Sequence, residues 1–376
     1  MDLSEITKYF TQHTQAQPLG FLVALAISFL ITPLIRERAL AMGLVDKPDE
    51  RRIHKTPTPR LGGIAILVSI VITSILYLII FGRYTTSRID IIELEGIAVG
   101  GILIFFIGLL DDIKPLNAWF KLSGQIFAAT SAWFLGVKIE FLANPIYYID
   151  HVHTSTFQLS EAISLIVTVI WLVAISNAIN LIDGVDGLAV GVCLIGAITT
   201  WAVAMSPSIN QPAGAIFAAT MAGACLGFLR YNFNPARMFL GDSGSYLLGF
   251  ILGCVSCLGL AKKVTVVVIS PILLLILVVP LIDTIYAIFR RAKNKKDIFK
   301  PDLEHVHHKL LNSGFTQKQV TYLLYSVTFL CGLLGTLILG LDITIDYLVI
   351  SGMILGIGLF FTFVINYKHQ KCFKKN

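Results

Sequence analysis

The sequence predicts an all-α, polytopic integral membrane protein of about eleven transmembrane helices, and three observations carry that prediction. The mean hydropathy is +0.79. Of 376 residues, 56% are hydrophobic and only 14% charged. The apolar residues also cluster in runs close to the roughly 20 needed to cross a bilayer. One soluble core cannot hide that much apolar surface.

The runs near 18–35, 62–82, 96–110, 118–136 and 162–178 are the first five spans. Those near 188–205, 213–230 and 245–261 follow, then 264–289, 320–340 and 346–366. With the N-terminus outside and the C-terminus cytoplasmic, all but six of the 29 Lys and Arg residues fall in inside segments. The six are Lys8, Arg83, Arg88, Lys138, Lys262 and Lys263, which is a strong positive-inside bias. A nucleic-acid partner is not expected, because the cations lie in short loops between apolar runs and form no single stripe.

The first fifteen residues lack a basic stretch, and Asp2, Glu5 and the polar run Thr11 to Gln15 do not resemble a cleaved signal peptide. Residues 1–376 read as a single membrane-embedded domain. The outside segment near 137–160, with His151 and His153, is expected to lie along the outer interface. Five of the six cysteines fall inside predicted spans, so no disulfide framework is expected, and the Cys254/Cys257 spacing reads as helix packing.

The polar groups that remain gather at the inside ends of the spans. Asn177, Asn180, Asp183 and Asp186 recur at intervals of three, with Gly184 and Gly187 allowing close backbone approach. Such a segment suits Mg²⁺, a nucleobase, or both. In the second segment, Asn234 and Arg237 precede Gly241-Asp242-Ser243-Gly244 just before a helix. Capping would explain Asp242 and Ser243, whereas Arg237 and Asn234 point to phosphate and metal binding at a helix start.

Asp111 and Asp112 place two like charges where the third span emerges, an arrangement that favours cation binding or a shifted pKa. His305, His307 and His308 stand among basic residues. That crowding disfavours a zinc site and fits phosphate recognition better. The first inside loop, with His54 and Arg60 among prolines, reads as a wall of a site for phosphorylated ligands.

The segments RRIHKTPTPRLGG, GLLDD, NAINLIDGVDGL, ARMFLGDSGS and HVHH, in that order, resemble the polyprenyl-phosphate N-acetylhexosamine-1-phosphate transferases over nearly the whole chain. PDLEHVHHKL resembles the WecA-like branch, because Val306 interrupts histidines that run together in the muramoyl-pentapeptide transferase branch. The resemblance implies transfer of N-acetylglucosamine-1-phosphate, or a related sugar phosphate, from a UDP-sugar to undecaprenyl phosphate. UMP is released, and a lipid-linked cell-envelope glycan is begun at the bacterial inner (cytoplasmic) membrane. The implied partners are a UDP-N-acetylhexosamine, undecaprenyl phosphate and the bilayer, with no nucleic acid; a homodimer is left open.

The resemblance also implies Mg²⁺, with Mn²⁺ as a substitute, held by Asn180 and Asp242. Asp186 lies where the family contacts uracil, and Asp183 supports the loop or the metal's ligands. Asp111, Asp112, Asp183 and His308 form the expected catalytic set. Asn177, Asp186, Arg237, His305, His307, His54 and Arg60 are the expected substrate-binding residues. Direct in-line displacement is expected, since a phosphate monoester near pH 7 is largely a dianion and needs no strong base. A covalent phosphoryl-aspartate at Asp111 or Asp112 is the rival.

The chain departs from the branch at Pro115, where a third acidic residue is common, and this leaves Lys114 or Lys121 to contact phosphate. Three other readings compete. One is the pentapeptide-transferring sister reaction. A secondary transporter would bind its cargo near the midplane, yet nearly all the acids here lie at inside ends, Asp283 being the one candidate exception. A lipid-binding scaffold would not need the Asn/Asp clusters.

Overall fold

The computed structural model describes residues 3–46, 57–85, 88–143, 156–205, 211–258 and 306–338. Its helices are α1 (Leu3–Ala41), α2 (Gly62–Thr85), α3 (Arg88–Ile113), α4 (Ala118–Phe134) and α5 (Glu161–Ile182). They continue as α6 (Leu188–Met205), α7 (Pro212–Asn232), α8 (Gly241–Leu258), α9 (Val306–Asn312) and α10 (Gln317–Ile338). Among the described residues six helices are long and apolar enough to cross a membrane: α1, α2, α3, α5, α6 and α7. The protein is an all-α, multi-pass membrane protein. The first eight predicted spans and the tenth fall on described helices; 264–289 and 346–366 lie outside the described residues, as do His151, His153 and Asp283.

Two short ribbons add to the helices. β1 (Val45–Asp46) pairs antiparallel with β2 (Thr58–Pro59), setting Asp46 opposite Thr58. β3 (Phe141–Ala143) pairs with β4 (Thr156–Gln158) in the segment expected to lie along the outer interface.

Several helices outrun their apolar spans. α1 continues through the polar run Thr11 to Gln15 and past Pro18 and Pro33. α3 extends to Ile113, so Asp111 and Asp112 stand in its last turn. α5 extends to Ile182, which places Asn177 and Asn180 on helix and leaves Asp183 as the C-cap. α8 begins at Gly241 and includes Asp242 in its first turn. Hydropathy marks only the lipid-matched part of a helix, whereas the backbone continues until its terminal N–H or C=O groups find other partners.

Small residues and interhelical hydrogen bonds pack the bundle, as expected where lipid removes the hydrophobic drive between helices. Gly223 and Gly227 of α7 lie against the α1 backbone at Phe21 and Leu25. Ser28 Oγ donates to the Ala224 carbonyl at 2.8 Å, and Ser69 Oγ to that of Ala24 at 2.6 Å. Among the described helices α8 is central, packed against α2, α3, α5, α6 and α7. Its residues Tyr246, Leu247, Leu248, Phe250 and Cys254 are buried. A Cβ on Gly108 of α3 would come within 2.5 Å of Ser243 Cα, and one on Gly244 would come within 3.0 Å of Gly63 Cα. These contacts bring the ends of α2, α3 and α8 together.

Candidate active site

The start of α8 is assembled from both sides. Phe239 N–H donates to the Pro59 carbonyl at 2.8 Å, while Gly62 and Gly63 donate to Phe239 and Leu240 at 3.0 and 2.9 Å. This pairing docks the segment after the first inside loop onto the entrance to α8. It also carries Arg60 to Asp242, 3.9 Å away, and to Asp46, at 3.8 Å.

Around that point the structure gathers Asp111, Asp112, Asn180 and Asp242. Asn180 Nδ2 lies 3.2 Å from Asp242 Oδ1 and 2.9 Å from Ser245 Oγ. Asp112 accepts from the backbone N–H groups of Asp242 and Ser243 at 2.8 and 3.0 Å, and from Ser243 Oγ at 2.6 Å. Asp111 lies against Asp242 as well, while its Oδ1 accepts from Leu116 N–H at 2.7 Å and its Oδ2 from Lys121 Nζ at 3.1 Å. Lys121, in the first turn of α4, also stands 3.8 Å from Asp242 Oδ2.

Burial first, then contact with Asp111 and the charges of Asp112 and Asp111, push the Asp242 carboxyl up to about 7. Asp183, the C-cap of α5, is raised well above the usual carboxylate range by burial and by the charges of Asp242 and Asp112, with Arg60 opposing. Negative charge in excess of the cations at hand characterises this centre. A divalent cation would relieve it.

The donor set fits one kind of ion. Asp242 and Asn180 offer hard oxygen atoms. Among the described residues, however, no three His, Cys, Asp or Glu side chains form a metal cage. An ion that takes one or two protein ligands and completes its shell with water and substrate phosphates, as Mg²⁺ does, matches this arrangement.

Other expected site residues serve contacts of their own. Asp186 Oδ2 accepts from Asn234 Nδ2 at 2.9 Å and from Ala236 N–H at 3.0 Å, and Asn234 also donates to Gln317 of α10 at 2.8 Å. This joins the α5–α6 turn, the approach to α8 and the start of α10. The Asn177 amide donates to Gln125 Oε1 at 2.6 Å and to the Val173 carbonyl at 2.8 Å, tying α5 to α4. Arg237 is exposed, and its carbonyl accepts from Arg36 Nε at 3.0 Å. His54 and His305 lie outside the described residues, and His307 and His308 belong to the short helix α9.

Lys121 is expected from the sequence only as a phosphate contact and Ser243 only as a cap of its own helix, while Ser245 and Gln125 are not expected in the site. Lys121 had one legible signal, being one of two cations in the inside segment 111–121. Ser245 and Gln125 had none, because only packing directs them toward the polar centre.

The fold and this site define a class: a polytopic membrane protein with a carboxylate-rich polar centre at a common end of its helices. Residues 94–260 match the model of glycosyl transferase family 4. A probable undecaprenyl-phosphate N-acetylglucosaminyl 1-phosphate transferase of Bacillus subtilis (strain 168) is 35% identical over 350 residues, 92% of this chain and 88% of the relative. A decaprenyl-phosphate N-acetylglucosaminephosphotransferase of Mycobacterium tuberculosis (strain ATCC 25618 / H37Rv) is 35% identical over 81% of this chain and 78% of its own. A phospho-N-acetylmuramoyl-pentapeptide-transferase of Staphylococcus epidermidis is 30% identical over 84% and 96%. The chain belongs to glycosyl transferase family 4, among its phosphotransferases.

Proposed function

We propose that this protein transfers N-acetylglucosamine-1-phosphate from UDP-N-acetylglucosamine to undecaprenyl phosphate at the bacterial cytoplasmic membrane, beginning a lipid-linked envelope glycan. The observation that carries this reading is the 35% identity, over 92% of the chain, to the Bacillus subtilis relative of that description. The pentapeptide-transferring relative is the more distant, at 30%. Val306, which interrupts the histidines, supports the same choice.

In the reaction, an oxygen of the acceptor phosphate attacks the β-phosphorus of the donor. The bond from that phosphorus to the bridging oxygen breaks, and the bridging oxygen leaves with UMP. Asn180 and Asp242 would hold Mg²⁺, which supplies charge neutralisation on the diphosphate. Lys121 and Arg60, already within reach of Asp242, stabilise charge on the phosphoryl oxygens, the main task in such transfers. Asp111 orients the acceptor phosphate and takes any residual proton, and His308 belongs to the same charge-stabilising group. Asp186 holds the turn that meets the uracil.

The test is UMP release by purified, detergent-solubilised protein given undecaprenyl phosphate and Mg²⁺, with UDP-N-acetylglucosamine and UDP-N-acetylmuramoyl-pentapeptide offered separately. Metal-dependent turnover of the first donor alone is expected. Turnover of the second would move the protein to the sister reaction, and release from neither would overturn the reading.

A further inference from the structure

We infer that Asp112 is a positioning residue that holds the first turn of α8, and with it Asp242, in place, so that the Asp111-Asp112 pair is divided in labour. The kinetic part of this inference rests on the reaction proposed above.

A helix starts with N–H groups that lack intrahelical partners. They are usually met by a side-chain oxygen at the residue before the helix. α8 has no such oxygen, since Leu240 and Gly241 stand at its start. Gly241 has φ of 78° and lies against the Arg60 carbonyl. A Cβ there would come within 2.6 Å of Asp112 Oδ2, so only glycine leaves room for the carboxylate. Asp112, 130 residues away in sequence, supplies the missing cap from the last turn of α3.

Both Asp112 oxygens are engaged. Oδ1 accepts from the Asp242 N–H, and Oδ2 accepts from the N–H and the hydroxyl of Ser243. A carboxylate has about four acceptor sites. Three are used here, on neutral donors at the positive end of a helix dipole, where a negative charge is stabilised. With both oxygens committed to these donors, the carboxylate is tied to the start of α8. Asp111 contrasts with it, because its Oδ2 faces Lys121, a flexible cation that can exchange one phosphate or carboxylate partner for another. The first hydrogen bond of the cap is made to the backbone of Asp242 itself, so loss of the cap displaces the carboxylate proposed to hold the metal.

The experiment compares Asp112→Asn, Ser243→Ala and the double variant with the unaltered protein. An amide keeps the shape but turns an N–H₂ toward the α8 N–H groups. Asp112→Asn is expected to raise the Mg²⁺ concentration for half-maximal UMP release about tenfold, as when partners of metal ligands are removed elsewhere. The KM for undecaprenyl phosphate should stay within about twofold. Ser243→Ala, a milder change, should shift the Mg²⁺ requirement the same way by less, and the double variant no further than Asp112→Asn alone. A raised acceptor KM with an unchanged Mg²⁺ requirement would overturn the inference. Thermal unfolding of the same four proteins gives a second cycle that needs no turnover. Non-additive losses are expected, and strictly additive ones would overturn the cap even if the unaltered protein releases no UMP. Absence of UMP release alone would count against the proposed reaction and not against the cap.

Discussion

Lys121 Nζ lies 3.1 Å from Asp111 Oδ2, across the gap between the end of α3 and the start of α4. The same ammonium stands 3.8 Å from Asp242 Oδ2, so one cation serves two carboxylates. Lys121→Met should lower turnover on the order of 100-fold, the usual effect of removing one donor that stabilises developing charge. Lys121→Arg should recover part of it. Steady-state UMP release checks this, and unchanged turnover in Lys121→Met would exclude the lysine from the chemistry.

Gly241→Ala should be among the more harmful changes in the chain that add only a methyl. Its φ of 78° belongs to the region that disfavours side chains, and the added carbon meets Asp112 and the Arg60 carbonyl. A non-glycine residue held in that region costs about 1–3 kcal/mol before any clash. The thermal midpoint should fall and Mg²⁺-dependent turnover with it. A variant as stable and active as the parent would show that the start of α8 can relax.

Without metal, stability should fall as pH rises from about 5 to 7.5. Asp242 is pushed up to about 7 and Asp183 is raised as well, while an unfolded aspartate titrates near 3.9. Between those values the folded protein holds protons that the unfolded chain has lost, and stability then decreases with pH. In EDTA the thermal midpoint is expected to be higher near pH 5 than at pH 7.5, with Asp242→Asn shrinking the difference. Added Mg²⁺ should raise the midpoint at pH 7.5. A midpoint that climbs with pH in EDTA would contradict the assigned environment of these carboxyls.

The sequence by itself determined the class of fold, the order of the spans and the polar segments at their ends. Hydropathy is a local property, and a run such as 62–82 needs no information from elsewhere in the chain to be read as a membrane helix. The motif order also carried the family, because Asp111, Asn180 and Asp242 lie in recognisable segments. Helix ends were less legible, since α5 runs to Ile182, four residues past the apolar run ending near 178, and carries Asn180 to its partners Asp242 and Ser245.

Tertiary structure alone decided how the acids divide their contacts. Asp111 and Asp112 look equivalent in sequence, but adjacent residues on a helix point in different directions. The packing of α3 against α8 turns Asp112 toward the Ser243 N–H, and the approach of α4 turns Lys121 toward Asp111. Those orientations depend on close helix contacts at Gly63, Gly108 and Gly244, whose partners are far away in the chain. No local pattern encodes which carboxylate meets which N–H.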